Sequence, residues 1–180
     1  MKIVPYLMFF LLTGCKGDVI EFTNLNFSSD KVTMESFNQT QFEPFIVSET
    51  LVEPRIMFSH VTKSNQKRGY YLGLIFHSAS KNKPIPVVES AELFINEKQV
   101  NLDLGLKNAQ PTEWRVSPFN EDLYVSSIEG NELFSDPERL GDKEILISIS
   151  LKVKTNTEDI KIKEIHSTFS LRKRSRLLYW

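Results

Sequence analysis

The chain has 180 residues, 22 Lys+Arg against 23 Asp+Glu and a formal net charge of −1, which argues against a dedicated nucleic-acid binder, since that class needs a strongly basic face. Thirteen Phe, five Tyr and two Trp, with many Val, Ile, Ser and Thr, favour strands over helices. The single cysteine leaves no disulfide framework, and the length suits one domain with a real core.

The first element is a leader. Lys2 precedes an apolar run from Ile3 to Leu12, interrupted by Pro5 and closed by the small residues Thr13-Gly14; this is the layout of a secretory signal. The run is about ten residues long, whereas a helix needs roughly 20 to cross a bilayer core, so a permanent transmembrane anchor is not expected. Leu12-Thr13-Gly14-Cys15 resembles the lipobox of bacterial lipoproteins, in which a Leu, two small residues and an obligatory Cys follow the apolar run. The resemblance implies diacylglycerol on the Cys15 thiol, cleavage between Gly14 and Cys15, and often a further acyl chain, such as palmitate, on the new amine. Each buried methylene contributes about 0.8 kcal/mol, so two or three chains hold a protein on a membrane where one holds it marginally. In lipoproteins of enteric-type bacteria an Asp after the lipidated Cys favours the inner membrane. Here Lys16 follows Cys15, which implies the outer membrane, facing the periplasm. The alternative is an ordinary secretory signal that ends near a cysteine. Cleavage would remove 14 of 180 residues and leave 166, and with Lys2 gone 21 Lys+Arg face 23 Asp+Glu, a net charge of −2.

The expected organisation is a leader over 1–14, a lipidated N-terminus and short tether over 15–18, and one β-rich domain over 19–180. Val19 to Phe27 is a candidate strand, and Asn24 to Gln41 is a polar stretch that suits a loop or part of a tether. Phe42 to Ser48 and Arg55 to Val61 are further short candidates. Gly69 to Ser78 (GYYLGLIFHS) is apolar on both parities and predicts a central strand covered on both sides. Ala91, Leu93 and Ile95 lead into Asn96-Glu97-Lys98-Gln99 and then Val100, Leu102 and Leu104, a hairpin signal. Glu113 to Ser117 and Leu123 to Ile128 are also strand candidates.

Glu129 to Glu144 (EGNELFSDPERLGDKE) holds six acids against Arg139 and Lys143 and reads as a solvated loop. A short helical turn is expected within it, near Asp136 to Leu140, with Pro137 in the first turn and Gly141 at the stop. Loops on a rigid scaffold commonly carry recognition, so Leu133, Phe134, Asp136 and Glu138 are candidate partner contacts. The loop lacks the Asp-rich, Gly-containing spacing of calcium hands.

From Glu144 to Lys154, Ile145, Ile147, Ile149, Leu151 and Val153 alternate with more polar residues, giving one buried and one mostly polar face. After the turn-prone stretch 155–159, Ile160 and Ile162 begin a partner strand. Ile165, Ser167, Phe169 and Leu171 have the opposite parity, which predicts a bulge or bend near Lys163-Glu164. Arg172-Lys173-Arg174-Ser175-Arg176 then precedes Leu177-Leu178-Tyr179-Trp180. This end suits a charged outer strand or a basic patch near anionic lipid or an acidic partner. Arginines at 172, 174 and 176 on one face with Lys173 on the other argue against a transmembrane barrel, where a lipid-facing Arg or Lys costs roughly 2 to 4 kcal/mol near the midplane.

These elements predict an all-β, antiparallel sandwich, with an immunoglobulin-like layout as one arrangement and a closed barrel as the alternative. His60, His77 and His166 all fall in expected strands, but none has a ligand at zinc-site spacing, and no G-x-S-x-G elbow occurs. No catalytic residue, metal or cofactor is therefore assigned. The favoured function is a non-enzymatic protein-binding module on the envelope, whose partner is another envelope protein or a periplasm-acting toxin that it blocks as an immunity protein. A structural or assembly lipoprotein fits the same residues, and an envelope hydrolase with a site assembled from distant residues, His60 or His77 among them, is the remaining class.

Overall fold

In chain order the strands are β1 (Cys15–Asn24), β2 (Ile46–Val47), β3 (Thr50–Phe58), β4 (Tyr70–Ser78), β5 (Val87–Ile95), β6 (Lys98–Val100), β7 (Arg115–Val116), β8 (Tyr124–Phe134), β9 (Ile145–Lys154) and β10 (Ile162–Leu178). They are seen in a computed structural model, which describes residues 15–27, 32–58, 69–107, 109–134, 145–155 and 162–178. Two antiparallel five-stranded sheets form, ordered β1-β10-β9-β5-β6 and β2-β3-β4-β8-β7. They face each other across one core, to which β9 and β10 contribute Ile147, Ile149, Leu151, Ile165 and Phe169, and β3 and β4 contribute Val52, Leu72, Leu74 and Phe76. The all-β sandwich expected from the sequence is the fold observed.

The alternating run makes β9 as expected, with Ile147, Ile149, Leu151 and Val153 at 1% exposure or less. Its partner β10 pairs with it without interruption from Ile162↔Lys154 to Leu171↔Ile145, so the bulge expected near Lys163-Glu164 is absent. The parity conflict resolves more simply: Ile162 faces solvent at 52% exposure, while Ile165, Ser167, Phe169 and Leu171 face the core. β4 is central in its sheet as predicted, with neighbours β3 and β8.

Two-residue turns close two hairpins. Ser48 and Glu49, and likewise Asn96 and Glu97, both have positive φ, the signature of the type I′ turn whose twist matches paired strands. The second turn is tighter than the sequence suggests, because β6 begins at Lys98 and pairs Lys98 with Ile95. It is also tied to β9, since Asn96 N donates to Leu146 O and Leu146 N donates to Asn96 Oδ1. Glu97 holds a conformation that disfavours a side chain, so Glu97→Gly is expected to stabilise the fold by about 0.5 to 1 kcal/mol in denaturant unfolding.

Leu102 and Leu104 do not continue β6. They lie in a loop over 101–107 that sends Leu104 and Leu106 into the core. The loop docks on β8 where its pairing with β4 shifts register, between Tyr71↔Glu132 and Gly73↔Glu129. There Asn131 N donates to Leu104 O. Gly130 is required at this crossing because a Cβ would collide with Leu104 O and would lie 2.8 Å from Leu72 O. Both obstacles are backbone and cannot rotate away. Gly130→Ala is therefore expected to cost about 1 to 3 kcal/mol, read as a lower denaturation midpoint at unchanged slope.

Two further readings are corrected. Phe42 to Ser48 is mostly a 3-10 turn (Thr40–Phe45), following another at Met34–Asn38. Phe42 and Phe45, three residues apart, stack around Phe27 at 5.3 and 4.6 Å between ring centroids, which is the spacing a three-residue turn brings to one side. β8 runs through Phe134, so Glu129 and Glu132 stand on a strand rather than in a loop. The helical turn expected at Asp136 to Leu140 lies outside the described residues.

Candidate functional site

The candidate anchor residue heads a paired strand. β1 pairs with β10 from Asn24↔Phe169 to Cys15↔Leu178, so residues 15–18, expected as a tether, run within the ladder. The pairing also places the basic C-terminal segment beside the start of β1: Gly17↔Arg176, Val19↔Arg174, Ile20↔Lys173 and Glu21↔Arg172. β1 is the edge strand of this sheet and β10 lies next to it; because the pairing with β9 ends at Leu171↔Ile145, the 172–176 stretch, expected as a charged outer strand, is paired with β1 on one side and, among the described residues, with no strand on the other. Gly14 lies outside the described residues.

β1 is tied to the second sheet at its far end. Asn24 Nδ2 donates to Pro54 O at 2.9 Å, and Asn24 Oδ1 accepts from Ser167 Oγ at 3.1 Å. Phe22 packs edge-on against Tyr70, with ring centroids 4.9 Å apart. Pro54 is tolerated inside β3 because β2 pairs only with Thr50 and Leu51, leaving the rest of β3 at an edge.

Of the expected partner contacts, Leu133 is 8% exposed and belongs to the core, so it is not available to a partner; this corrects the loop reading. Phe134 ends β8, and Asp136 and Glu138 lie outside the described residues. Exposed apolar residues sit elsewhere, at Leu25, Met34, Leu102, Leu146 and Ile162 and, close together, at Val116 on β7, 53% exposed, and Phe119 in the β7–β8 connection, 68% exposed. This connection adjoins the Tyr124↔Ser78 end of the β8–β4 ladder. The Asn24–Pro54 and Phe22–Tyr70 contacts set the relative direction of the sheets: passing along β1 toward Cys15 corresponds to passing along β4 toward Tyr70. Val116 and Phe119 therefore occupy the end of the sandwich opposite Cys15.

The two described histidines, His77 and His166, lie on different sheets. His60 lies outside the described residues, and His166 is an exposed residue of β10 opposite Ser150. His77 on β4 is buried at 7% exposure, next to Glu53 on β3 at 6%. Glu53 Oε2 lies 2.8 Å from His77 Nε2, and Glu53 Oε1 accepts from Arg55 Nε at 2.6 Å. Burial pushes the Glu53 carboxyl up, but the hydrogen bonds from His77 and Arg55, with their charges, outweigh it and hold the group below the usual carboxylate range. His77 Nδ1 is buried with no hydrogen-bond partner. Sequence reading named His77 but missed Glu53. The signal was present: a histidine in a run that is apolar on both parities must be buried, and a buried imidazole needs a partner.

Among the described residues, no group of three His, Cys, Asp or Glu is placed to hold a metal ion. A shallow cleft of about 240 Å³ lies between Glu89–Ala91 and the 102–107 segment. Glu89, bulged out of the β5–β9 ladder, answers Lys154 at 3.0 Å. No family model, no curated protein and no solved structure matches the chain.

Proposed function

We propose that the protein is a membrane-anchored periplasmic lipoprotein, held by lipid on Cys15, that acts as a non-enzymatic protein-binding module. The observation that carries this reading is the polarity of the sandwich. The lipobox cysteine heads β1 at one end, while exposed Val116 and Phe119 stand at the other. The ten strands of the described residues lie at or after Cys15, so cleavage before this residue leaves every one of them in the mature chain. A protein so held offers Val116 and Phe119 away from the membrane, and an exposed aromatic beside a short edge strand is the kind of anchor that partner surfaces take up.

The partner class is another envelope protein or a periplasm-acting toxin, the latter making this an immunity protein. A second reading, an envelope hydrolase, is favoured by the Glu53–His77 pair, which has the form of a base with its orienting carboxylate. The test is crosslinking in intact Gram-negative cells of the full-length protein, a Cys15→Ser variant and a Phe119→Ser variant, followed by identification of what each captures. Capture of one envelope or toxin protein by wild type, lost in both variants, is the expected result. Equal capture by all three contradicts it, and labelling by a hydrolase-directed probe that His77→Gln abolishes would favour the second reading.

A further inference from the structure

We infer that the open edge of β5 binds an extended peptide, which adds to the sheet as a strand in line with β6. β6 pairs only with Leu93 to Ile95, so the 87–92 part of β5 has β9 on one side and, among the described residues, no strand on the other. The chain that could have prolonged β6 turns away instead. Leu102 N donates to Val100 O in a γ-turn, and the 101–107 segment runs to β8, where Asn131 N donates to Leu104 O. Between this segment and Glu89–Ala91 lies the cleft of about 240 Å³. Neither Val116 nor Phe119 lines it, so the site is separate from the partner contact proposed above.

Register decides which backbone groups face the cleft. The two-residue turn at Asn96 and Glu97 makes Ile95 and Lys98 a hydrogen-bonded pair, so Ile95 directs its N–H and C=O toward β6. Antiparallel strands alternate in this respect: Phe94 and Glu92 face β9, while Leu93 and Ala91 face the same way as Ile95. Ile95 and Leu93 meet Lys98 and Val100. Ala91 meets no strand residue on that side, and no turn or loop hydrogen bond among the described residues engages its N–H or C=O. One residue of an added antiparallel strand supplies the C=O and N–H that match both groups. The bulge at Glu89 ends regular pairing beyond this point, which keeps the receptive stretch short, from Ser90 to Glu92.

The lining selects the class of ligand. Its carboxylates, Glu89 and Asp103, stand against Lys107 and against Lys154, which lies 3.0 Å from Glu89. Charge is balanced, so the cleft has no surplus with which to hold a metal ion or a phosphate. What is left unmatched is neutral: the backbone of Ala91 and the side chain of Leu102, 37% exposed. A peptide backbone with an apolar side chain answers both. The far wall is fixed in advance, since Asn131 Nδ2 donates to Asp103 O at 3.1 Å, Gly105 N donates to Asp103 Oδ1 at 2.9 Å, and Leu104 and Leu106 are rooted in the core. A preformed wall lowers the ordering cost of binding. It also favours a single extended segment over the edge of a folded sheet, which would bring its next strand about 4.8 Å further out, on the side where the wall stands.

The probe is an end-capped peptide of alternating Thr and Val, about five residues long as a typical strand is, titrated into the purified full-length protein while amide exchange is followed by NMR. In the free protein the Ala91 amide is expected to exchange faster than that of Leu93, which β6 protects, and to slow as peptide is added. The same peptide N-methylated at every residue has no N–H to offer and should leave Ala91 unprotected. Ala91→Pro removes the donor at an edge position where proline is tolerated and should weaken binding roughly fivefold. Leu102→Ser, on the opposite wall, should weaken it by a similar factor and keeps the test open if the proline variant fails to fold; thermal unfolding of each variant checks this. Three results would each overturn the inference: an Ala91 amide as protected as Leu93 before peptide is added, no slowing at millimolar peptide, or equal slowing by the methylated peptide.

Discussion

Replacing His77 with Leu is expected to destabilise the fold by about 3 kcal/mol, a large part of the roughly 5 to 15 kcal/mol available to a domain of this size. The cost does not come from losing a favourable pair as such. It comes from leaving the Glu53 carboxylate in a site only 6% exposed, with Arg55 as its remaining partner. Removing both partners, as Glu53→Leu with His77→Leu, should recover much of the loss, because two apolar residues need no hydrogen bonds there. A double-mutant cycle by denaturant unfolding separates the two effects. If the double variant is less stable than either single one, the pair itself is a net stabiliser and the desolvation argument fails.

The same pair gives the fold an acid dependence of definite sign. The folded-state carboxyl of Glu53 sits below its ordinary value of 4.5. Its stabilising contribution is therefore complete above that value and is lost as pH falls through the lower folded one. Glu53→Gln cannot titrate. The stability gap between wild type and this variant should be widest near neutrality and narrow on acidification below about pH 4, a comparison made with paired denaturation curves.

Phe169→Ala is expected to cost about 3 to 5 kcal/mol. Phe169 is 1% exposed, and among the described residues its strand alone joins β1 to the rest of its sheet, with Phe169 opposite both Asn24 and Ile147. The cavity opens where three strands meet, and the surrounding backbone ladders limit collapse. Ile162→Ala, seven residues upstream on the same strand but 52% exposed, should change stability by no more than about 0.5 kcal/mol. Urea or guanidinium midpoints of the two variants test the uninterrupted register of β9 and β10. A bulge near Lys163-Glu164 would have turned Ile162 inward and made both substitutions costly.

That register shows what the sequence made legible. Alternation over Glu144 to Lys154 specified a strand and its buried face, and the apolar run at Gly69 to Ser78 specified a central strand. Parity alone misled at Ile162, because an isoleucine beyond the core has no reason to follow the inward set. Phe42 and Phe45 look like strand residues until their spacing of three is weighed against Pro44 between them. β8 was cut short at Ile128 because Glu129 and Glu132 suggested a loop, although one face of a strand accommodates charged residues. Pro54 similarly hid the first half of β3; an edge position makes it harmless. Glu53 was invisible as a site residue because its partner lies 24 residues away, a distance that only the β3–β4 register closes. The exposed pair Val116 and Phe119 is hidden from the sequence for the same kind of reason: exposure is a property of the packed sandwich.

The anchored reading depends on Cys15, so the decisive measurement is the intact mass and N-terminal peptide of the full-length protein recovered from the membranes of a Gram-negative host. The account predicts a chain beginning at Cys15 and carrying diacylglycerol, with or without a further acyl chain on the new amine. A chain cleaved elsewhere, or beginning at Cys15 with a free thiol, would contradict it.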